Sequence, residues 1–360
     1  MRRLLRILGG ILSVILVLLG AVAVLAVTSD NLRIHLPVEQ TEHFEHEGLD
    51  SFPAALHVEG RRFVTSNGEV VRLQGLMPSE PYELEGKKRF SRPFFEEMAT
   101  SGANVIRIPV HPHTWTENPD YLWRYLDPAV AWAGELGLYA IIDWHSIGNI
   151  ETGEAPLLPE LYSHTEEMTV EFWTQVASYF RDAPHVLFEV FNEPQGISPE
   201  DWQRKATELV AVIRKQGARQ PAIVGGTDHG RDLAWVLVTP VEDKNVAYAS
   251  HIYPSHSESL WGIYFGRVAE RYPVLITEWG FMGENLSAEQ PYLNGSAADY
   301  GQALMSYLDE RDIGWVACWY DAEAEPPMFQ PDWQGHTGYG EYVMDRLRQV
   351  GTQSTHGDHR

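Results

Sequence analysis

Short apolar runs that end in polar residues recur along this 360-residue chain, and they constrain its fold more than any other feature. The run from Val186 to Pro194 is strand-like and ends in Asn192 and Glu193, directly before a proline. A second run, from Val274 to Gly280, ends in Glu278. Each carboxylate alone could be a capping residue, but the pair is typical of an acid and a nucleophile at the strand ends of a barrel enzyme.

Strand-like and helix-like segments alternate from residue 71 onward. For example, apolar residues line one face of a predicted helix over 122–136, and the strand Tyr139 to Asp143 follows. The pattern predicts eight strands in about 280 residues, which favours a (β/α)₈ TIM barrel as one domain over residues 55–350. A doubly wound sheet is the alternative, but the chain lacks a glycine-rich phosphate turn. The predicted strands cover residues 71–77, 104–109, 139–143, 186–191, 222–225, 246–250, 274–277 and 315–319.

A short β-hairpin precedes the predicted barrel. Residues 56–64 and 70–73 are the two arms, and Ser66-Asn67-Gly68 is the turn between them. An Asn-Gly pair between alternating apolar and polar residues is a strong hairpin signal.

The N-terminal region predicts a membrane segment. An uncharged stretch from Ile7 to Val27 follows Arg2, Arg3 and Arg6, and 21 residues at about 1.5 Å each span a bilayer core. The arginines predict a cytoplasmic N-terminus and an extracytoplasmic catalytic domain. We expect residues 1–30 to be a transmembrane or signal-anchor helix, with a cleaved signal peptide and secretion as the alternative. Residues 31–54 are predicted to be a flexible tether, and residues 351–360 a disordered tail.

Charge and cysteine content exclude some functions. Asp and Glu number 50 against 27 Lys and Arg, and the net charge of −23 disfavours nucleic-acid binding. Because Cys318 is the single cysteine, no disulfide can form within the chain. The closely spaced histidines at 111 and 113 and at 251 and 256 could suggest a metal site. A complete tetrahedral ligand set around them would have to use the strand-end residues that are the candidates for catalysis. We therefore expect no metal and no cofactor.

Polar residues follow six different predicted strands at the end where barrel enzymes hold their active sites. The motifs are Arg107-Ile-Pro109, Asp143-Trp-His145, Phe191-Asn-Glu-Pro194, His251-Ile-Tyr253, Thr277-Glu-Trp-Gly280 and Trp319. In this order they resemble glycoside hydrolase family 5, the cellulase-like retaining β-glycosidases of the large (β/α)₈ barrel clan. The resemblance covers residues 56 to 350.

The resemblance implies a role for each residue. Glu193 is the expected general acid and base, and Glu278 is the expected nucleophile, kept ionised by Arg107 and Tyr253. Asn192 is expected to bind the sugar 2-hydroxyl, His251 to modulate Glu193, His145 to line the subsite of the reacting sugar, and Trp319 to lie under that sugar. Burial and a neighbouring carboxylate predict a raised proton affinity for Glu193. We expect Glu189 to be structural.

The predicted activity is hydrolysis of β-glycosidic bonds in a polysaccharide or oligosaccharide, and an endo-β-glucanase is the first hypothesis. A β-mannanase, a glycosidase for β-1,3-glucan or glycolipid, and a noncatalytic carbohydrate-binding protein are the alternatives. We expect a monomer. Six tryptophans in or beside the predicted top loops are candidates for stacking on sugar rings, namely Trp115, Trp144, Trp235, Trp261, Trp279 and Trp333.

Overall fold

A computed structural model describes residues 36–283 and 287–354. Eight parallel strands form a closed barrel, in which the last strand pairs with the first. This confirms the predicted TIM barrel. In chain order the barrel strands are β4 (Gln74–Met77), β5 (Val105–Val110), β6 (Tyr139–Trp144), β8 (Val186–Glu189), β10 (Ala222–Gly225), β11 (Val246–Ile252), β12 (Val274–Trp279) and β13 (Gly314–Cys318).

Alternation along each strand divides the core into two layers. In β6, Tyr139 and Ile141 belong to the cluster inside the barrel, whereas Ala140 and Ile142 pack in the layer between barrel and helices. Strand residues alternate between the two faces of a sheet. The same alternation in β5 points Arg107 to the inside, after Val105, and places Ile106 and Ile108 outside.

A small antiparallel sheet adjoins one end of the barrel interior. It consists of β1 (Leu56–Glu59), β2 (Arg62–Thr65) and β3 (Val70–Val71), so the predicted hairpin is a three-stranded meander with an additional turn at Gly60. Leu56 and Phe63 are buried in the same apolar cluster as the interior strand residues. This packing covers the amino-terminal end of the barrel and leaves the opposite end for the polar residues.

Two further strands, β7 (Ile147–Gly148) and β9 (Glu193–Pro194), pair in parallel beyond the barrel rim.

The helices surround the barrel. For example, the helix Pro199–Lys215 is capped at its amino-terminal end by Ser198, whose hydroxyl accepts a hydrogen bond from the Asp201 N–H. Its buried face carries Trp202, Ala206, Leu209, Val210 and Ile213. The helical segments are Leu49–Ser51, Pro81–Gly86, Arg92–Thr100, Pro112–Glu117, Leu122–Leu126, Asp127–Glu135, Pro159–Tyr162, Glu166–Tyr179, Pro199–Lys215, Ala234–Leu237, Glu258–Trp261, Gly262–Gly266, Arg267–Ala269, Pro291–Leu293, Ala297–Gly301, Gln302–Asp309 and Gly338–Ser354.

The prediction of a flexible tether as far as residue 54 is wrong for residues 40–54, which belong to the same compact unit as the barrel. Phe44 is 2% exposed, and its N–H donates to the Tyr179 carbonyl at 3.1 Å. Phe52 packs edge-on against His185, with ring centroids 5.0 Å apart. Because this stretch is mostly polar, its pattern did not indicate that Phe44 and Phe52 would be buried against the rest of the domain.

Both chain ends carry predictions that the structure tests only in part. The last helix continues to Ser354, so the tail predicted as disordered over residues 351–360 is helical in its first four residues, and residues 355–360 lie outside the described part. The predicted membrane segment, Ile7 to Val27, also lies outside it. Within residues 36–283 and 287–354, no helix is both long and apolar enough to cross a membrane.

Candidate active site

The eight side chains predicted from the sequence lie together at the carboxyl-terminal end of the barrel. Direct contacts link them into one network, in which Arg107 binds Glu278 and Asn192, Tyr253 binds Glu278, and His251 binds Glu193. His145 joins through Asp143, and its ring contacts Trp319 at 5.6 Å between centroids. The strand-end motifs therefore converge as expected.

Arg107 is the fully buried centre of this network. Its Nε donates to Glu189 Oε2 at 2.6 Å, its Nη1 to Glu278 Oε1 at 2.7 Å and its Nη2 to Asn192 Oδ1 at 2.8 Å. Burial alone would lower the pKa of Arg107, but Asp143, Glu189 and Glu278 raise it well above its usual value, so the guanidinium keeps its charge. The structural role predicted for Glu189 agrees with these contacts.

Glu278 accepts one hydrogen bond on each carboxylate oxygen. Arg107 binds Oε1, and the Tyr253 hydroxyl donates to Oε2 at 2.8 Å. Hydrogen bonds to the charged form of a carboxylate favour that form. The arrangement fixes the carboxylate plane of Glu278 and suits an ionised nucleophile.

Glu193 also has a partner on each oxygen, and both partners are imidazoles. His251 Nδ1 lies 2.9 Å from Oε1, and His229 Nδ1 lies 3.4 Å from Oε2. Burial raises the pKa of Glu193, but the neighbouring imidazoles of His229 and His251 together lower it below its usual value. This direction is opposite to the expected rise in proton affinity, because the expectation included His251 only as a modulator and did not include His229.

The hydrogen bonds of His251 determine where its protons lie. Thr277 Oγ1 donates to Glu189 Oε1 at 2.9 Å, so the same oxygen must accept from His251 Nε2 at 3.1 Å. Nε2 therefore carries a hydrogen, and Nδ1 either donates to ionised Glu193 or accepts from protonated Glu193. One proton can move along the contact between His251 and Glu193 without any side chain turning.

Three more predicted residues complete the walls. Asn192 must present its carbonyl oxygen to Arg107, which cannot accept, so its amide NH₂ is left as a donor. His145 Nδ1 lies 2.5 Å from Asp143 Oδ2, and burial lowers the pKa of His145 well below its usual value. Trp319 is only partly buried and packs against the interior cluster. A partly exposed aromatic ring thus lies beside His145.

Sequence reasoning missed three residues near the two carboxylates. His229 is one of them. The other two are Tyr162 and Tyr292, and the charges of Glu193 and Glu278 contribute to raising the pKa of both hydroxyls. The Tyr162 ring lies beside His145, at 6.0 Å between centroids, whereas Tyr292 contacts Tyr253 at 5.3 Å and is 40% exposed. All three lie in irregular loops or short helices, where periodicity gives no signal.

The tryptophans proposed as sugar platforms are mostly core residues. Trp144, Trp235, Trp261 and Trp279 are each at most 7% exposed. The two others, Trp115 and Trp333, are partly buried and pack against the outer core; the Arg89 guanidinium also covers the Trp333 ring at 4.5 Å. Their indole faces are occupied by protein, so Trp319 and the tyrosines are better candidates for contacts with substrate.

One group of side chains in the described part of the chain could in principle ligate a metal ion. Glu193, His251 and Glu278 each offer one ligand atom, and these atoms lie within 4.8 Å of one another. The Arg107 cation, 2.7 Å from Glu278, opposes a second cation there. The expectation of no metal stays a prediction, and a chelator experiment tests it.

Comparison with known proteins agrees with this geometry. Residues 64–324, which are more than half of the chain, match the family Cellulase (glycosyl hydrolase family 5). The chain belongs to glycosyl hydrolase family 5. Among similar proteins, Endoglucanase E-5 of Thermobifida fusca is 26% identical over 304 residues, which cover 74% of this chain and 60% of that protein. Endoglucanase A of Butyrivibrio fibrisolvens is 26% identical over 278 residues, covering 72% and 61%.

Solved family 5 structures share the fold. The β-glucanase SdGluc5_26A from Saccharophagus degradans superimposes with a TM-score of 0.81 at 25% identity, covering 87% of this chain and 98% of that one. The catalytic domain of Thermobifida fusca endoglucanase Cel5A gives a TM-score of 0.67 at 22% identity, covering 81% and 97%. This chain spans about three fifths of the length of the two endoglucanases compared by sequence.

Proposed function

We propose that the protein is an endo-β-glucanase that hydrolyses β-glycosidic bonds with retention of configuration. The observation that carries the proposal is the spacing of the two carboxylates, whose oxygens approach within 4.8 Å. Inverting glycosidases keep their carboxyl groups about 6.5–9.5 Å apart to admit a water, whereas retaining enzymes keep them about 5–5.5 Å apart. The close spacing favours direct attack by one of the carboxylates.

In the first step, Glu278 attacks the anomeric carbon while Glu193, which takes a proton from His251 Nδ1 along their 2.9 Å contact, gives a proton to the departing glycosidic oxygen. The bond from carbon to the leaving oxygen breaks, and an ester bond to Glu278 forms. Arg107 and Tyr253 hold the attacking carboxylate, and the Asn192 amide is positioned to donate to the sugar 2-hydroxyl. His145 and Trp319 flank the reacting sugar.

In the second step, Glu193 acts as a base. It takes a proton from water, the water oxygen attacks the anomeric carbon, and the ester to Glu278 breaks. Two displacements at one carbon restore the β configuration. The imidazoles of His229 and His251 stabilise the ionised Glu193 that this step requires.

The relatives favour a β-glucan as substrate, since two similar proteins are endoglucanases and one similar structure is a β-glucanase. β-Mannan, β-1,3-glucan and glycolipid remain alternatives, because loops shape specificity in a barrel enzyme. A noncatalytic carbohydrate-binding role fits less well, since binding alone has no need for a buried acid and nucleophile held by Arg107 and Tyr253.

The test is digestion of soluble β-glucans, mannans and xylans, followed by proton NMR of the first product. We expect β-glucan to be cut internally, with a rapid fall in viscosity, and the β-anomer to appear before mutarotation. An α-anomer as first product would refute the retaining mechanism. Cleavage of mannan alone would refute the assigned substrate.

For location, we propose that residues 1–30 anchor the enzyme in a membrane, with the barrel on the extracytoplasmic side. The support is the uncharged stretch from Ile7 to Val27 after three arginines. The full chain should be found in the membrane fraction of expressing cells. A mature N-terminus near residue 24 or 27 would instead show a cleaved signal. We also propose a monomer, which sedimentation velocity of the detergent-solubilised protein can test.

A further inference from the structure

The loop after β10 has an unusual backbone. Residues 226–232 fold back on themselves, with antiparallel bridges between Gly226 and Gly230 and between Thr227 and Asp232. At the tip, Asp228, His229 and Gly230 have φ angles of 56°, 58° and 72°, so three successive residues are left-handed. Non-glycine residues rarely adopt this conformation, and where they do they cluster at functional sites. This loop therefore holds His229 in a specific position.

The loop is fixed against the ring that already binds Glu193. The backbone N–H of His251 donates to the Gly230 carbonyl at 3.1 Å. A Cβ atom at position 230 would lie only 2.7 Å from Nδ1 of the His251 ring. Glycine at 230 thus permits the backbone to lie on the His251 imidazole. His229, one residue earlier, reaches the second oxygen of Glu193 at 3.4 Å.

The charges around His229 make Glu193 its main electrostatic partner. Asp228 and Arg231 also act on it, in opposite directions, and they pair with each other. The Arg231 guanidinium lies over the Tyr264 ring at 5.0 Å. The hydrogen bond with Glu193 raises the pKa of His229, and this effect exceeds the opposing effect of burial. Other ionisable groups lie near Glu193 or interact with it electrostatically. Together with His229 they are His251, Glu278, His145, Asp143, Tyr162, His256 and Tyr292.

The two imidazoles on Glu193 differ in their access to solvent. The His251 side chain is 1% exposed, whereas the His229 side chain is 38% exposed. His229 therefore contacts both Glu193 and solvent, whereas His251 is enclosed by protein.

We propose that His229 is a positioning residue that acts on the reaction only through Glu193, by orienting its carboxyl group and by stabilising the carboxylate that forms when Glu193 gives up its proton. The inference rests on the proposed function. In the first step Glu193 gives its proton to the leaving oxygen, and the His229 imidazolium stabilises the carboxylate that remains. In the second step Glu193 takes a proton from water, which restores the proton that it gave in the first step, and the His229 imidazolium keeps its own Nδ1 hydrogen throughout.

Aryl β-cellobiosides with good and poor leaving groups test this inference. A 2,4-dinitrophenyl group departs without protonation, whereas a phenyl group needs a general acid, and kcat/KM reports the step in which it leaves. His229→Ala should lower kcat/KM for phenyl β-cellobioside by roughly tenfold or more and that for the dinitrophenyl substrate by less than about twofold. Glu193→Ala should show the same selectivity with a larger loss.

A conservative variant and a matched control accompany this test. His229→Asn retains an N–H close to the position of Nδ1, so it should recover part of the rate on the phenyl substrate. His113→Asn, at an exposed position in the helix Pro112–Glu117, should match wild type on both substrates. An equal loss on both substrates for His229→Ala, or no loss on either, would overturn the proposal for His229 and leave the proposed function intact. Failure of wild type to cleave both the aryl cellobiosides and β-glucan would instead overturn the proposed function, and this inference with it.

Discussion

Arg107 and Glu278 form a buried ion pair, with Nη1 2.7 Å from Oε1 and neither side chain more than 6% exposed. The same guanidinium binds the structural carboxylate Glu189 and the amide of Asn192. One planar cation thus sets the relative positions of the candidate nucleophile and of the candidate donor to the sugar 2-hydroxyl. A planar fork with five donors can do this, whereas a point charge cannot.

Arg107→Lys should therefore lower kcat by roughly 100-fold or more and change KM much less, because an ammonium group cannot hold all three partners at once. The variant should also lose about 3–5 kcal/mol of unfolding free energy, since Asp143 and Glu189 stay buried with an incomplete counter-charge. Steady-state kinetics and urea unfolding measure the two effects. Arg204→Lys, at an exposed surface ion pair, is the control and should match wild type. Wild-type kcat in Arg107→Lys would contradict the role of the guanidinium.

The sequence predicts the part of the site that regular strands build. The eight predicted residues lie in barrel strands or within four residues of their ends, and the period of two with parallel pairing brings them to one end of the barrel. They are Arg107, His145, Asn192, Glu193, His251, Tyr253, Glu278 and Trp319. The predicted strand over residues 71–77 begins later, because Val70–Val71 pairs in the small sheet instead. Strand ends are less predictable than strand existence, since the same apolar residues suit either sheet.

The part that irregular backbone builds could not be predicted. His229 reaches Glu193 only because three successive residues are left-handed, and this conformation has no signature in a single sequence. The lowered pKa of Glu193 follows from that contact together with the one from His251, and only the contact from the loop was not expected. Phe44 and Phe52 likewise lie among polar residues, where two isolated aromatics give no periodic signal.

His185 makes the stability of the fold depend on pH. It is fully buried beside Phe44 and Phe52; its Nε2 lies 2.9 Å from the Val130 carbonyl, and its Nδ1 has no partner. Burial lowers the pKa of His185 from 6.5 to about 4. The unfolded chain therefore binds a proton between pH 6.5 and pH 4 that the folded chain does not. The contribution is complete above pH 6.5 and is lost as the pH falls to 4, by about 3 kcal/mol.

His185→Gln isolates this contribution, because its amide can still donate to the Val130 carbonyl but does not titrate. Urea unfolding of wild type and variant from pH 4 to pH 8 should show the wild type losing about 3 kcal/mol relative to the variant as the pH falls. His113→Gln, at an exposed position, should follow the wild type. Parallel curves for wild type and His185→Gln would rule out His185 as the source.

Removal of metal ions should leave activity unchanged. The carboxylates and imidazole that could hold an ion already bind Arg107, Tyr253 and each other, and the proposed mechanism uses protons and a covalent ester alone. Hydrolysis rates should be equal before and after treatment with EDTA and gel filtration. Loss of turnover that Zn²⁺ or Mn²⁺ restores would assign the group formed by Glu193, His251 and Glu278 to a metal instead.

Azide rescue distinguishes the two carboxylates by the configuration of the product. Glu278→Gly should lower turnover by roughly 10⁴-fold or more, and azide in the space left by the nucleophile should attack an activated β-glycoside to give an α-glycosyl azide. Glu193→Ala still forms the ester to Glu278, so azide should then attack the opposite face and give the β-azide. Glu189→Gln is the matched control, since its carboxamide stays inside the barrel and should yield no azide product. Proton NMR of the products reads the two configurations directly, and exchange of the two outcomes would reverse the roles assigned to Glu193 and Glu278.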